Sequence, residues 1–171
     1  GLQEGSITPL DRTYCNGEFH LGTSTFKDWK EGGHGTVDLH RAIAQSCNIF
    51  FYEAGLKIGG AQIVRYANMF GFGQPTAIDL PGEKAGLLPK PQVVRGRAGK
   101  VFLPGETVNM SIGQGTVLVT PMQIARFMAA VANLVPITVI ARLIGFHTTD
   151  ADFLMQAAFD STTLVGGTAT L

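Results

Sequence analysis

Ser46 and Asn48 place a hydroxyl and a carboxamide two residues apart at the end of an apolar run. Short polar side chains at neighbouring helical positions can point a donor and an acceptor into one cleft, where they relay a proton or hold a substrate amide. The plainer reading of the pair is a local cap or turn, which Ser and Asn both favour at helix ends. A second set of residues overlaps it. Cys15, Asp28, His34 and Cys47 follow a Cys-x12-Asp-x5-His-x12-Cys pattern. Thiolate, carboxylate and imidazole are ligand types that zinc accepts in a closed four-coordinate site. Neither half is a compact finger motif, so buried thiols, a hydrogen-bonded histidine and a surface aspartate form the competing reading. A glycine on each side of His34 permits a tight path that turns the ring back toward Asp28. Cys47 lies between Ser46 and Asn48, so a metal held there fixes the loop that carries both. A Cys15–Cys47 disulfide is the rival in an oxidising compartment. His20, His40 and His147 lack partners at ligand spacing and read as surface or helix-face residues.

The elements that must position these groups follow from the flanking pattern. Leu2 to Pro9 reads as a helix end with a glycine stop at Gly5 and an exit turn. From Arg12 to Lys27, polar and aromatic alternation with Gly17 and Gly22 predicts a loop or hairpin. Val37, Leu39, Ala42, Ile43 and Ala44 form an apolar stripe at helical spacing after Gly35-Thr36, which predicts a helix leading into Ser46. A second helix is expected from Asn48 through Leu56 and a third from Ala61 to Met69, separated by Gly59-Gly60 and closed by Gly71. Phe50, Phe51, Phe70 and Phe72 read as core, because aromatics at this spacing mainly bury area. From Gly73 to Gly105 the chain is rich in Gly and Pro and reads as a long surface excursion. Its Lys84, Lys90, Arg95, Arg97 and Lys100 suit a solvated face or, alternatively, contact with an acidic partner. Thr120-Pro121-Met122-Gln123 is a helix start, with Thr120 as N-cap and Gln123 in the capping-box position, and the helix is expected to run to about Ala132. Ile137 to Ile144 suggests a strand and Asp150 to Asp160 another helix.

The bulk numbers fit one domain, or part of one. The chain has 171 residues, zero formal net charge and 15 % charged residues, the last well below the roughly 25 % of ordinary soluble domains. A piece of a larger domain has this character, because faces meant for absent neighbours stay apolar. Zero net charge argues against a nucleic-acid surface or a polybasic membrane patch. The most apolar window, Leu134 to Phe146, contains Pro136 and Arg142 and falls short of a membrane span.

Several stretches occur together in a recognisable order: Gly33-His34-Gly35-Thr36-Val37-Asp38-Leu39, Ser46-Cys47-Asn48-Ile49-Phe50-Phe51-Tyr52, Phe70-Gly71-Phe72-Gly73, Ile78-Asp79-Leu80-Pro81-Gly82-Glu83, Ser111-Ile112-Gly113-Gln114-Gly115 and Thr120-Pro121-Met122-Gln123. In this order the chain resembles the transpeptidase domain of class B penicillin-binding proteins, nearest to the penicillin-binding protein 2 subgroup that serves elongation of rod-shaped cells. The resemblance covers Gly1 to about Asn133 and weakens beyond. It implies a mixed α/β (α+β) fold, an antiparallel sheet covered by helices, of which residues 1–171 form the central, helix-rich part. It also implies that some members of the subgroup hold a structural zinc near this motif, which favours Cys15, Asp28, His34 and Cys47 as a metal set.

Enzymes of this type use Ser-x-x-Lys with the acylated serine, Ser-x-Asn, and Lys-Thr-Gly on a sheet edge. Ser24-Thr25-Phe26-Lys27 satisfies the first pattern but has no helical run behind it, and a nucleophile needs its lysine one helical turn away on the same face. By resemblance the true nucleophile lies before Gly1, and Gly1 to Gly5 is the end of its helix. Val165-Gly166-Gly167-Thr168-Ala169 is similar to the third motif with its lysine and threonine replaced, or is a chance match. The implied function is a peptidoglycan D,D-transpeptidase in which Ser46 passes a proton and Asn48 holds the substrate amide. The implied ligands are D-Ala-D-Ala stem peptides and β-lactams. The implied setting is the periplasmic face of the bacterial inner membrane, with an anchor outside this chain and a membrane glycan polymerase of the elongation complex as partner. Two other readings remain: a non-catalytic, zinc-stabilised binding module that uses the Gly73 to Gly105 excursion, and a β-lactam-recognising serine hydrolase that uses Ser24.

Overall fold

The computed structural model describes residues 1–143 except Leu80 and 95–98, with side chains described through residue 133. At the start, the Gly5 N–H bonds to Leu2 O and the Ser6 N–H to Gly1 O, with Gly5 at φ 64°. This paired closure around a left-handed glycine is the way helices stop, as the sequence suggests.

Four short strands and two helices then build the front of the molecule. β1 (Arg12–Cys15) pairs antiparallel with β4 (Gly35–Asp38), setting Cys15 opposite Gly35. β2 (Glu18–Leu21) and β3 (Ser24–Lys27) form a hairpin around Gly22. Thr13 and Cys15 of β1 are buried while Arg12 and Tyr14 are exposed, the period-two pattern of a strand with one covered face. Helix α1 (Leu39–Gln45) begins where the Asp38 carboxylate accepts the Arg41 N–H at 2.8 Å. The helix therefore starts later than the expected Gly35-Thr36 start. Thr36 and Val37 pair with β1 instead, Val37 is buried as a strand residue, and Ile43 and Ala44 face outward.

Helix α2 (Asn48–Ile58) is the central element. Ile49, Phe50, Tyr52, Ala54 and Gly55 are all buried, and a helix with apolar contacts on most of its circumference belongs inside. It packs on β1, α1, α3 (Gly60–Met69) and α4 (Pro104–Met110). Its approach to α4 is close enough that a Cβ on Gly55 would stand 2.4 Å from Ser111 Cβ. Phe50 packs edge-on to Phe51, and the half-buried Phe70 and Phe72 pack on Phe127, so all four expected core aromatics serve packing.

Among its described residues the excursion after Gly73 holds a two-residue ladder between β5 (Gln92–Val93) and β6 (Lys100–Val101), and a bridge from Leu87 to Leu118. It ends earlier than expected, because α4 begins at Pro104. Gly105 and the β-branched Thr107 and Val108 weaken the helical signal there. Pro at the first helical position was the available cue. Helix α5 (Pro121–Leu143) starts at the expected capping box, with Thr120 N–H donating to Gln123 Oε1 at 2.9 Å and Gln123 N–H to Thr120 Oγ1 at 3.2 Å. It runs past Ala132, so residues 137–143 are helical where a strand was expected. Once a helix is nucleated, each further residue adds a hydrogen bond, and β-branched content costs only a few tenths of a kcal/mol per residue. Ile144, the expected helix from Asp150 to Asp160 and the Val165–Ala169 stretch lie outside the described residues. The described residues form a mixed α/β arrangement with small antiparallel ladders, and among them no helix is long and apolar enough to cross a membrane.

Candidate functional site

Cys15, Asp28, His34 and Cys47 converge. Their ligand atoms all lie within 4.8 Å of one another, and all four are buried. Three routes bring them there. Cys15 ends β1. Asp28 follows β3, its backbone N–H held by Gly17 O at 2.8 Å and its Oδ1 by the Lys30 N–H at 3.0 Å. His34 precedes β4 in a turn where Gly33 has φ 75°, and a Cβ there would stand 2.2 Å from Cys15 O, so only glycine fits. Cys47 is the N-cap of α2.

Asp28 Oδ2 is the common neighbour. It lies 3.3 Å from Cys15 Sγ and 3.5 Å from His34 Nδ1, while Cys15 Sγ is 3.6 Å from His34 Nδ1. A tetrahedron with zinc–ligand bonds of about 2.0–2.3 Å has edges of about 3.3–3.8 Å, so the three separations among Cys15, Asp28 and His34 match edges of such a site, and Cys47 lies within 4.8 Å of them. Both thiols are free. With Nδ1 turned into the cluster, the other ring nitrogen of His34 is buried and has no partner among the described residues. Burial raises the Asp28 carboxyl, but the Lys30 N–H, the Cys15 thiol, His34 and the Cys47 thiol outweigh it and hold the group below the usual carboxylate range. Burial pushes the Cys47 thiol up to about 12, helped by Cys15 and Asp28 against the Phe50 N–H. A thiol in such a place ionises more readily when a cation is bound beside it. The donor set and its spacing therefore fit zinc.

The Ser-x-Asn pair sits on the corner between α1 and α2: Ser46 is the C-cap of α1, as the cap-or-turn reading has it, and Asn48 opens α2. Ser46 caps α1 in the left-handed conformation, φ 53° and ψ 47°, and is exposed. Asn48 is the first residue of α2. Its backbone N–H donates to Asp28 Oδ2 at 3.0 Å, and its side-chain amide donates to Lys27 O at 3.4 Å. Tyr52, one turn on, donates its hydroxyl to the same carbonyl at 3.2 Å. Burial and the Asp28 charge raise the Tyr52 phenol, against a hydrogen bond from Asn48. The corner thus presents a hydroxyl to solvent beside an amide that is already oriented.

One participant was not expected from the sequence. Trp29 donates its indole N–H to Gln45 O at 3.1 Å and to Ser46 O at 3.0 Å, and its ring stands edge-on to His34 with centroids 5.4 Å apart. Its place beside Asp28, as the single tryptophan of the chain, was the available signal. Ser24 and Lys27 are not brought together as a nucleophile and its base. They open and close strand β3, three residues apart in an extended chain, where their side chains leave opposite faces. His20 is exposed and bonded to Thr25, and His40 is exposed on α1; His147 lies outside the described residues.

Comparison with known proteins bears on the family and the fold. Residues 1–164 match the family model described as penicillin binding protein transpeptidase domain. The peptidoglycan D,D-transpeptidase MrdA of Acinetobacter baumannii is 44 % identical over 136 residues, which span 78 % of this chain and 20 % of that protein. Penicillin-binding protein 2 (PBP2) of Pseudomonas aeruginosa, solved in complex with WCK 5153, has a TM-score of 0.69 at 36 % identity, covering 78 % of this chain and 31 % of that one. PBP2 of Helicobacter pylori, solved in complex with MreC, has a TM-score of 0.61 at 32 % identity, covering 72 % and 24 %. The chain thus spans about a fifth of the length of the curated relative it matches.

Proposed function

The chain belongs to the penicillin-binding transpeptidase family, in the class B branch of PBP2, and from that premise we propose that it is the central part of a peptidoglycan D,D-transpeptidase domain that works through an acyl-serine. In this reading a serine outside the chain attacks the penultimate D-alanine carbonyl of a stem peptide. The bond to the terminal D-alanine breaks and its nitrogen takes a proton. The amine of a second stem then attacks the ester and frees the serine. Ser46 passes the proton between the motif lysine and the leaving nitrogen, and the Asn48 amide holds the substrate amide. β-Lactams enter as mimics of the D-Ala-D-Ala end.

The observation that carries this reading is the corner itself. An exposed hydroxyl in a conformation that L residues avoid stands next to a residue whose backbone N–H is pinned to the buried cluster through Asp28 and whose side-chain amide donates to Lys27 O. Strain of this kind persists where the surroundings impose it and is concentrated at functional sites. Cys15, Asp28, His34 and Cys47 would hold a structural zinc. When bound, zinc supplies the fixed positive charge that lets two thiols ionise in a buried site, while the residues keep the corner in place. The setting proposed for the longer protein is the periplasmic face of the inner membrane, with a membrane glycan polymerase as partner. The H. pylori relative solved with MreC supports a place in an assembly.

The test is intact-mass analysis of the longer protein that carries this segment after incubation with benzylpenicillin, with peptide mapping. One adduct is expected, on a serine outside residues 1–171, and Ser46→Ala is expected to slow its formation by about a hundredfold, the lower end for loss of a proton-transfer group. This chain alone is expected to form none. An adduct on Ser24 in either protein would overturn the assignment.

A further inference from the structure

We propose that Trp29 is a positioning residue for Ser46: its indole N–H clamps the backbone of the turn from outside and holds the hydroxyl in its left-handed conformation. The inference rests on the reading of Ser46 as the proton relay.

Trp29 is 66 % exposed, so its ring does little of what a core tryptophan does. Its N–H is nevertheless shared between the carbonyls of Gln45 and Ser46. These are the last residue of α1 and its cap, where helix carbonyls have no partner within the helix. Inside the turn, the Cys47 N–H reaches Ala42 O at 3.0 Å and the Ser46 N–H reaches Ile43 O at 3.3 Å. Those bonds fix the N–H groups of the corner. Trp29 fixes two of its carbonyls, and a peptide held on both sides cannot rotate to carry Ser46 out of the left-handed region.

The indole is itself held. Asp28, the preceding residue, is anchored at its backbone N–H and at both carboxylate oxygens. The ring meets His34 edge-on at an interplanar angle of 61°, and His34 is placed by the turn at Gly33. Anything that seats the buried cluster therefore also aims the donor at the Ser46 turn. Asp28 acts on Asn48 in the same way, so adjacent residues of one loop secure the two members of the Ser-x-Asn pair.

The experiment removes the donor and keeps the ring. In the longer transpeptidase, Trp29 is replaced by β-(3-benzothienyl)alanine, which carries sulfur where the indole has N–H, and separately by Trp29→Phe. The second-order rate of acylation by benzylpenicillin, the melting temperature and the metal content are compared with wild type. The isostere is expected to acylate about tenfold more slowly, the weight of one well-made hydrogen bond, with metal content unchanged and a melting temperature lowered by no more than a few degrees. Trp29→Phe is expected to show the same loss. Acylation of the isostere at the wild-type rate overturns the proposal. If wild type itself forms no adduct, the proposed function fails, and a second measurement decides the clamp alone. In this chain the single indole N–H is expected to exchange slowly with solvent despite the exposed ring, and Trp29→Phe is expected to speed exchange of the Cys47 amide. Fast indole exchange with an unchanged Cys47 amide refutes the clamp.

Discussion

Asp28 Oδ2 accepts the backbone N–H of Asn48 at 3.0 Å while lying 3.3 Å from Cys15 Sγ and 3.5 Å from His34 Nδ1. One oxygen is thus both the cap of the central helix and a member of the buried cluster. Its side chain is fully buried, so the carboxylate is sustained by donors rather than by water. The start of α2 and the state of the cluster are coupled through that atom.

Asp28→Ala removes a charged acceptor and leaves the Asn48 and Lys30 N–H groups without it. A loss of about 2 kcal/mol in unfolding free energy is expected, as for a buried hydrogen bond to a charged group. Asp28→Asn, which keeps an acceptor oxygen, should lose less. Urea denaturation of the variants checks the order, and equal stabilities would dissociate the carboxylate from the helix start.

For the metal, chelator-free protein is expected to carry about one zinc per chain, and Cys47→Ser to carry none. Elemental analysis with thiol counting measures both. In metal-free chain the Cys47 thiol has a folded pKa pushed up to about 12, above the ordinary thiol value near 8.5. A raised folded pKa means that the folded state keeps its proton where the unfolded state has lost it. The Cys47 contribution is therefore complete below about pH 8.5 and is lost as pH rises toward 12. Because ligation must expel thiol protons, zinc affinity should rise from about pH 6 to 8. Affinity independent of pH would count against thiolate ligation.

Gln123 is fully buried, and its amide donates to Gln74 O at 2.7 Å and Ala85 O at 2.8 Å while accepting the Thr120 N–H. It fastens the excursion to the start of α5. Gln123→Ala strands two carbonyls and one N–H, and a loss of about 3 kcal/mol is expected from several unsatisfied groups. Faster proteolysis between Gln74 and Leu87 should accompany it. A variant as stable as wild type, cut at the same rate, would show that the excursion is held by other contacts.

Gly55 sets the spacing of α2 and α4. A Cβ there would meet Ser111 Cβ at 2.4 Å and its Oγ at 2.9 Å, so Gly55→Ala should cost about 1–3 kcal/mol by overpacking. Ser111→Gly in the same chain should return part of that loss, a coupling that a double-mutant cycle reads directly. Simple additivity of the two substitutions would place the clash elsewhere.

Features written in short-range chemistry were legible. The glycine stop at Gly5, the helices broken at Gly59-Gly60, the Thr120–Gln123 capping box and the Ser46-x-Asn48 pair depend on bonds between residues a few positions apart. Sequence alone therefore determined their presence, and the ordered motifs determined the family. Cys15, Asp28, His34 and Cys47 were legible as ligand types but not as neighbours. Their meeting depends on β1 pairing with β4 in the register that sets Cys15 opposite Gly35, and a one-residue slip would turn Cys15 to the other face. The same limit hid the strand character of Thr36 and Val37, helix α4, and Trp29, whose hydrogen bonds span 16 and 17 residues. Propensity and periodicity report what a residue does to its own turn of chain. Which distant groups share one buried volume was decided by the tertiary structure, because only packing closes those loops and makes the interior dry enough for their charges to matter.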